Sequence, residues 1–369
     1  MRKEGKKKNK DILDNFVKEL INIFSSFLEK ETVEDVIYDS ENNKVKVYDS
    51  KFGYSEIDFH IDEEKLQSIL TTLPIDLEKT KHGSFYFDNL RITVVLPPLT
   101  RKISIAIRKF RKVPISIFEM IENGTITKSA LAYLWIFVDG LKLKPANIII
   151  AGQPGSGKTS FLNMLSLFIN KEERIVSVED VYELRLPLTN WLPILKRDVD
   201  LKEINNIIYR VRPDRLIYGE IRNKEDAEIF FNFIGGGLNG CISTSFALKS
   251  FDLINRLTTE PFSINPGLVR NLDLIIIMRR SENRKYVYEI SEVASFEYGK
   301  PTINNLFFHD GNELKFTNTK IYFFEKLHKY FNISMEKIKE ELIKRGGKIE
   351  YIVENRLTNF EEVYKFIHE

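Results

Sequence analysis

The chain has a single cysteine, Cys241, among 369 residues. That excludes an intramolecular disulfide and a cysteine cluster for zinc, and the residue reads most simply as a small buried hydrophobe in a strand. Long apolar runs are also missing. The longest, around Leu131 to Val138 and Leu274 to Met278, fall far short of the ~20 residues a membrane span needs. No apolar segment follows the basic start, so no secretory signal is read and a cytoplasmic protein is expected. Charge of one sign is nearly absent as well: 55 Lys and Arg face 53 Asp and Glu. With that balance, and no basic stripe interleaved with aromatics, direct nucleic-acid binding is not expected. The one concentration is Met1 to Lys10, where Arg2, Lys3, Lys6, Lys7, Lys8 and Lys10 face only Glu4. It reads as a solvated tail, with attraction to an anionic membrane surface as the alternative.

What is present is an ordinary globular composition, 43% hydrophobic and 29% charged, on a chain long enough for two domains. Leu13 to Leu28 has the spacing of an amphipathic helix. Val36–Tyr38 and Val45–Tyr48 flank a turn at Asp39–Asn43, and Ser84–Phe87 with Arg91–Leu96 flank Asp88-Asn89, stopped by Pro97-Pro98; both read as hairpins. A strand at Ile103–Ile107 leads into the basic stretch Arg108 to Lys112. These elements predict a small α+β domain over 11–112, followed by a linker at 113–125. Thr127 is placed to cap a helix through Val138.

From Asn147 short β-branched runs alternate with helices, the pattern of a parallel α/β sheet. The expected strands are Asn147–Ala151, Arg174–Val178, Leu216–Gly219, Cys241–Thr244 and Leu272–Met278, within a domain over 126–320. A helical extension fills 321–369. There Ser334 caps a helix ending at Gly346-Gly347, and Thr358 with Glu361 forms a capping box for the last helix.

Gly152-Gln153-Pro154-Gly155-Ser156-Gly157-Lys158-Thr159 is a complete G-x-x-x-x-G-K-[ST] sequence, with Ser160 next. A strand runs into it and the apolar helix Phe161 to Ile169 runs out, the context a phosphate cradle requires. Its glycines let backbone N–H groups converge on phosphates at the positive end of the helix. Lys158 would reach the β- and γ-phosphates of ATP, and Thr159 would offer its hydroxyl to Mg²⁺.

Hydrolysis also needs carboxylates, and ligands of open α/β sheets lie at the carboxyl ends of the strands. Two strands end in acidic residues: one runs into Glu179-Asp180 with Glu183 a turn further, the other into Glu220, followed by Arg222. Arg210, Arg212 and Arg215 precede the second of these strands. Arg210 and Arg212 would share a face if they lie on a strand.

The order of these motifs resembles the traffic ATPases of type II and type IV secretion, type IV pili and archaeal flagella, in an archaeal flavour. The resemblance runs from about residue 85 to the end, through Leu96-Pro97-Pro98, Ile107-Arg108-Lys109-Phe110, Ala132-Tyr133-Leu134-Trp135, the P-loop and Leu162-Asn163. It continues with Val178-Glu179-Asp180-Val181-Tyr182-Glu183-Leu184, similar to the family's Asp box, with Leu186-Pro187 and Asn190-Trp191. It then takes in Arg212-Pro213-Asp214-Arg215, Gly219-Glu220-Ile221-Arg222, similar to its Walker B region, Arg256-Leu257-Thr258 and Leu342-Ile343-Lys344-Arg345.

The resemblance implies a RecA-like P-loop ATPase domain joined to a smaller N-terminal α+β domain, with ATP between the domains. It further implies a homo-hexamer working beneath a polytopic membrane platform protein, peripheral at the inner face of the membrane. Carried over, Glu220 assists Mg²⁺ through water, Glu179 or Glu183 orients attacking water, and Arg108, Arg210 and Arg212 sense or neutralise the γ-phosphate. One departure stands out: Asn239 and Phe246 occupy the places of two histidines usual in the family, and all five histidines lie elsewhere. The departure bears on how hydrolysis couples to subunit motion and leaves the P-loop and its carboxylates intact. Two other readings remain open, a nucleotide-binding regulatory subunit without turnover and a DNA-translocating motor.

Overall fold

The structure is a computed structural model that describes residues 15–41, 43–59, 61–62, 75–196, 199–281, 284–297 and 300–369. The basic run Met1 to Lys10 lies outside the described residues. Contacts divide the chain into two units, 1–112 and 113–369.

In the first unit, helices α1 (15–23) and α2 (Ser25–Leu28) precede strands β1 (Val33–Asp39), β2 (Lys44–Asp49) and β3 (Gly53–Asp58). Helix α3 (Ile75–Thr80) and strands β4 (His82–Phe87), β5 (Leu90–Val95) and β6 (Ser104–Lys109) complete it. The six strands form one antiparallel sheet in the order β3-β2-β1-β6-β5-β4. Alternate residues Ile92 and Val94 of β5, and Ile105 and Ile107 of β6, face the helical segment through Phe16, Leu20 and Phe24, the period-2 pattern that made these strands legible. The expected helix over Leu13 to Leu28 is interrupted at Phe24, beyond which α2 starts afresh. Arg108 stands on β6 opposite Asp35 on one side and Arg91 on the other.

The second unit opens with α4 (Ile117–Glu122), capped by a reciprocal Ser116–Glu119 box, and α5 (Lys128–Asp139), capped by Thr127. Then come β7 (Ile148–Gly152), α6 (Lys158–Leu165), β8 (Ile175–Glu179), β9 (Trp191–Leu195), α7 (Leu201–Val211) and β10 (Arg215–Tyr218). The chain continues through α8 (Lys224–Gly235), β11 (Ile242–Ser245), α9 (Ser250–Thr258), α10 (Pro266–Val269) and β12 (Leu274–Arg280). It closes with β13 (Lys285–Glu297), β14 (Lys300–His309), β15 (Leu314–Phe316), α11 (Tyr322–Phe331), α12 (Met335–Glu354) and α13 (Phe360–His368).

The sheet order is β15-β14-β13-β12-β7-β11-β10-β8-β9. Strands β12 to β9 in that order are mutually parallel, and β13 to β15 add antiparallel strands at one edge. Ile148 and Ile150 of β7 face one core, with α5, α6 and the C-terminal helices. Ile149 and Ala151 face the other, with α7, α8 and α9. Burial on both faces explains why these strands read as continuous apolar runs. Cys241 is buried just before β11, and burial pushes its thiol up to about 12.

Several expectations are corrected. Helix α12 does not end at Gly346-Gly347 but runs on to Glu354. Ile338, Ile349 and Ile352 are buried on either side of the glycine pair, so tertiary packing outweighs a cost of roughly 1 kcal/mol per glycine. The last helix is capped by Asn359, whose side chain accepts from the N–H groups of Glu361 and Glu362. Thr358 with Glu361 forms no capping box. Arg210 and Arg212 do not share a strand face: Arg210 is the last turn of α7, and Arg212 is its C-cap in the left-handed region at φ 49. Arg215 is a structural cation, with no exposed surface. Its guanidinium donates to both oxygens of Glu173 at 2.7 and 2.9 Å and to the Val138 carbonyl at 3.0 Å.

Candidate nucleotide site

The P-loop connects β7 to α6. Gly152 must be glycine because a Cβ there would lie 2.3 Å from the Met278 carbonyl of neighbouring β12 and 2.6 Å from Ser156 Oγ. Gly157 is the N-cap of α6 at φ +88 and has no side chain to cap it. The N–H groups of the first turn, where Lys158, Thr159 and Ser160 stand, are therefore left for an anion. Among the described residues, Ser156 Oγ is buried without a hydrogen-bond partner.

Lys158 is 7% exposed, and its ammonium is held by several groups at once. It donates to the carbonyls of Gly152 and Gln153 at 3.3 and 3.4 Å and lies 4.0 Å from Glu220 Oε1. It also sits 4.2 Å from the centroid of the Phe246 ring. Glu220 is brought there by topology. Strand β11 lies between β7 and β10, so the phosphate loop and the acidic strand end stand one strand apart at the same edge of the sheet.

The hydroxyls of β11 fasten this arrangement, a role the sequence reading missed. Ser243 Oγ donates to the Tyr218 carbonyl at 2.7 Å, Thr244 Oγ1 to that of Gly219 at 2.7 Å, and Ser245 Oγ to that of Ile221 at 3.1 Å. Three successive hydroxyl residues in a buried strand were the available signal. Asn239, before the amino end of β11, donates to the Gly237 carbonyl at 3.0 Å.

The two acidic strand ends meet. Glu220 pairs with the Arg222 guanidinium, which also binds Asp180 Oδ2 at 2.9 Å. Lys196 links Asp180 at 3.5 Å to Asp226 at 2.8 Å. Tyr218 donates its hydroxyl to Asp226 at 2.6 Å, and burial with that carboxylate holds its phenol far above the usual range. Asp180 thus organises the loop through ion pairs.

Glu179 is only 3% exposed. Its Oε1 accepts from the N–H groups of Glu183 at 3.0 Å and Leu184 at 2.8 Å. Burial raises its carboxyl to about 7, against the lowering effect of those two hydrogen bonds. Glu183 is half-buried on the same loop. That loop is tied to the P-loop helix by Asn163, whose amide donates to the Glu183 carbonyl and whose oxygen accepts from the Arg185 N–H at 2.8 Å.

Two further cations border the cradle and were missed. A Cβ on Gly155 would lie 3.0 Å from Arg280 Nη1, and one on Gly157 would lie 3.4 Å from Lys285 Cδ. Of the candidate arginines, Arg210 and Arg212 stand before the amino end of β10, whereas Glu220 follows its carboxyl end. The sequence-predicted P-loop, Glu179, Glu183 and Glu220 are brought to one edge; Arg210 and Arg212 are not. A cavity of about 170 Å³ lined by Trp135, Asp139, Phe168, Arg345 and His368 lies among the C-terminal helices, away from the P-loop.

A P-loop between a central parallel strand and its helix, with an acidic strand end opposite, defines a nucleotide-binding protein with a RecA-like core. The family model described as Type II/IV secretion system protein matches residues 85–293, and the chain belongs to that ATPase family. It is similar to two uncharacterized proteins of Methanocaldococcus jannaschii. One, MJ0781, is 32% identical over 215 residues, 54% of this chain and 30% of that protein; the other, MJ1287, is 29% identical over 267 residues, 68% and 96%. The chain therefore spans under a third of the first relative's length. In fold it is similar to the Yersinia pseudotuberculosis ATPase DotB (TM-score 0.55, 13% identity, 95% of this chain and 92% of that one). It is likewise similar to the pilus retraction motor PilT with bound ADP (0.51, 16%, 94% and 96%). Among the described residues no helix is long and apolar enough to cross a membrane.

Proposed function

We propose that the protein is a Mg²⁺-dependent ATPase working as a hexameric ring. The ring would drive assembly of a pilus-like filament or protein secretion from the cytoplasmic face of a membrane, beneath a polytopic platform protein. The observation that carries this reading is the convergence of Lys158 and Glu220, 4.0 Å apart, at the mouth of a complete P-loop.

In this account the α6 N–H groups and Lys158 hold the phosphates and orient the γ-phosphoryl group. The donors available to a metal are hard oxygens, as Mg²⁺ requires: the Thr159 hydroxyl, phosphate oxygens and, through water, Glu220. Among the described residues no cluster of three or more His, Cys, Asp or Glu gathers to bind a metal alone, which suits an ion that arrives with nucleotide. Held there, Mg²⁺ would supply charge neutralisation to the bound phosphates.

Glu179 is the residue proposed to orient and deprotonate water, since its carboxyl at about 7 is matched to that task. Its neighbour Glu183 gives its backbone N–H to Glu179 and its carbonyl to Asn163. Arg108, Arg210 and Arg212 are proposed as cations offered to the γ-phosphate by a neighbouring subunit, a role that their distance from the P-loop edge leaves to another copy for Arg210 and Arg212.

Below about 7 Glu179 is protonated and cannot accept a proton, so phosphate release should rise as pH passes upward through about 7 and level off above it. Folding shows the reverse trend: unfolded glutamate ionises near 4.5, so this group's contribution to stability declines between there and about 7. A pH–rate profile checks the assignment. The limb near 7 should vanish in Glu179→Gln, with turnover falling ~100-fold or more as expected for a lost acid–base group, and persist in Glu183→Gln. A limb that survives in Glu179→Gln would move the role to another group.

A further inference from the structure

We infer that Phe246 is a positioning residue for the P-loop lysine, its ring face holding the Lys158 ammonium in place for phosphate. The inference rests on the nucleotide site proposed above and adds a residue to it. Phe246 follows the last residue of β11, and its half-buried ring lies 4.2 Å, centroid to Nζ, from a lysine that is almost wholly buried.

A ring face attracts an ammonium through its quadrupole, most strongly where water is excluded, without taking an N–H in a strong hydrogen bond. The two carbonyl contacts of Lys158 are long, at 3.3 and 3.4 Å, and the Glu220 contact is at 4.0 Å. None of these alone fixes Nζ. The Phe246 ring adds a further contact to the two carbonyls and the carboxylate, and a neutral ring leaves the ammonium's charge for the incoming phosphate.

The backbone around Phe246 is itself clamped. Arg256 Nη1 donates to the Phe246 carbonyl at 2.8 Å, and Arg279 Nη2 to the Leu248 carbonyl at 3.3 Å. Upstream, the Ile221 N–H donates to the Thr244 carbonyl at 2.8 Å. The ring is therefore held on a segment tied to Ile221, the residue after Glu220, so Phe246 sets Lys158 relative to both the phosphate loop and the carboxylate.

The test compares Phe246→Leu, which keeps an apolar side chain of similar bulk, with Phe246→Tyr and Phe246→Trp, which keep a ring face. ATP affinity is read by titration of a fluorescent ATP analogue on the full-length chain, with urea unfolding as the control for fold. Leu should weaken binding roughly 3- to 10-fold at an unchanged unfolding midpoint, the range set by a cation–π contact, whereas Tyr and Trp should stay within about twofold of wild type. Fluorination of the Phe246 ring, which drains its face of negative potential, should weaken binding in step with the number of fluorines. Leu binding as tightly as wild type, or Tyr and Trp failing alongside Leu, would overturn the inference while leaving the nucleotide site standing. A wild-type chain that binds no nucleotide would instead remove the reading on which the inference rests.

Discussion

Lys158→Ala should weaken ATP binding by roughly 10- to 100-fold and remove measurable phosphate release. The range follows from the ~1.5–3 kcal/mol of a charge-assisted hydrogen bond, at about 1.4 kcal/mol per tenfold. The loss is specific to this lysine because its neighbours cannot replace it. Arg280 borders Gly155 and Lys285 borders Gly157, while Lys158 donates to the Gly152 carbonyl and stands 4.0 Å from Glu220. Nucleotide titration of the purified variant reads the first effect and a phosphate-release assay the second. Undiminished turnover would place the active nucleotide site elsewhere.

Glu220→Gln should separate binding from chemistry. The amide keeps the size of the side chain but gives up the negative charge that faces Lys158 and pairs with Arg222. Removing a carboxylate beside bound phosphates relieves like-charge repulsion, so ATP affinity should hold or improve. Turnover should fall by about 100-fold or more, the scale on which loss of transition-state electrostatics acts. The two measurements therefore move in opposite directions. A parallel fall in both would make Glu220 a structural partner of Arg222.

The parts of the fold that could be read in advance share one property: their local pattern agrees with their tertiary role. Ile148, Ile149 and Ile150 are apolar without alternation because β7 is covered on both faces. The P-loop was legible because each glycine answers a local demand, close approach at Gly152 and positive φ at Gly157. Strand β3 was not, since Gly53–Asp58 is mostly exposed and carries no apolar alternation. Helix α12 misled because two glycines look like a stop, while the burial of Ile349 and Ile352 that overrides them is decided by distant residues. Arg215 had no role legible in the sequence. It stands among arginines that look catalytic, yet Glu173 and the Val138 carbonyl claim its donors in the interior. At the site, the residue types were visible in the sequence, but the contact between Phe246 and Lys158 depends on β11 lying between β7 and β10, which no local pattern records.

The central claim is that this P-loop powers a ring, and it is tested most directly by phosphate release from Mg²⁺-ATP across a range of protein concentrations, with oligomer mass recorded on the same samples. The account predicts turnover per subunit that rises as the mass climbs from monomer to hexamer, and no such rise for Lys158→Ala. Turnover per subunit that stays constant while the mass changes, or a hexamer that binds ATP and releases no phosphate even with membrane lipid added, would contradict it.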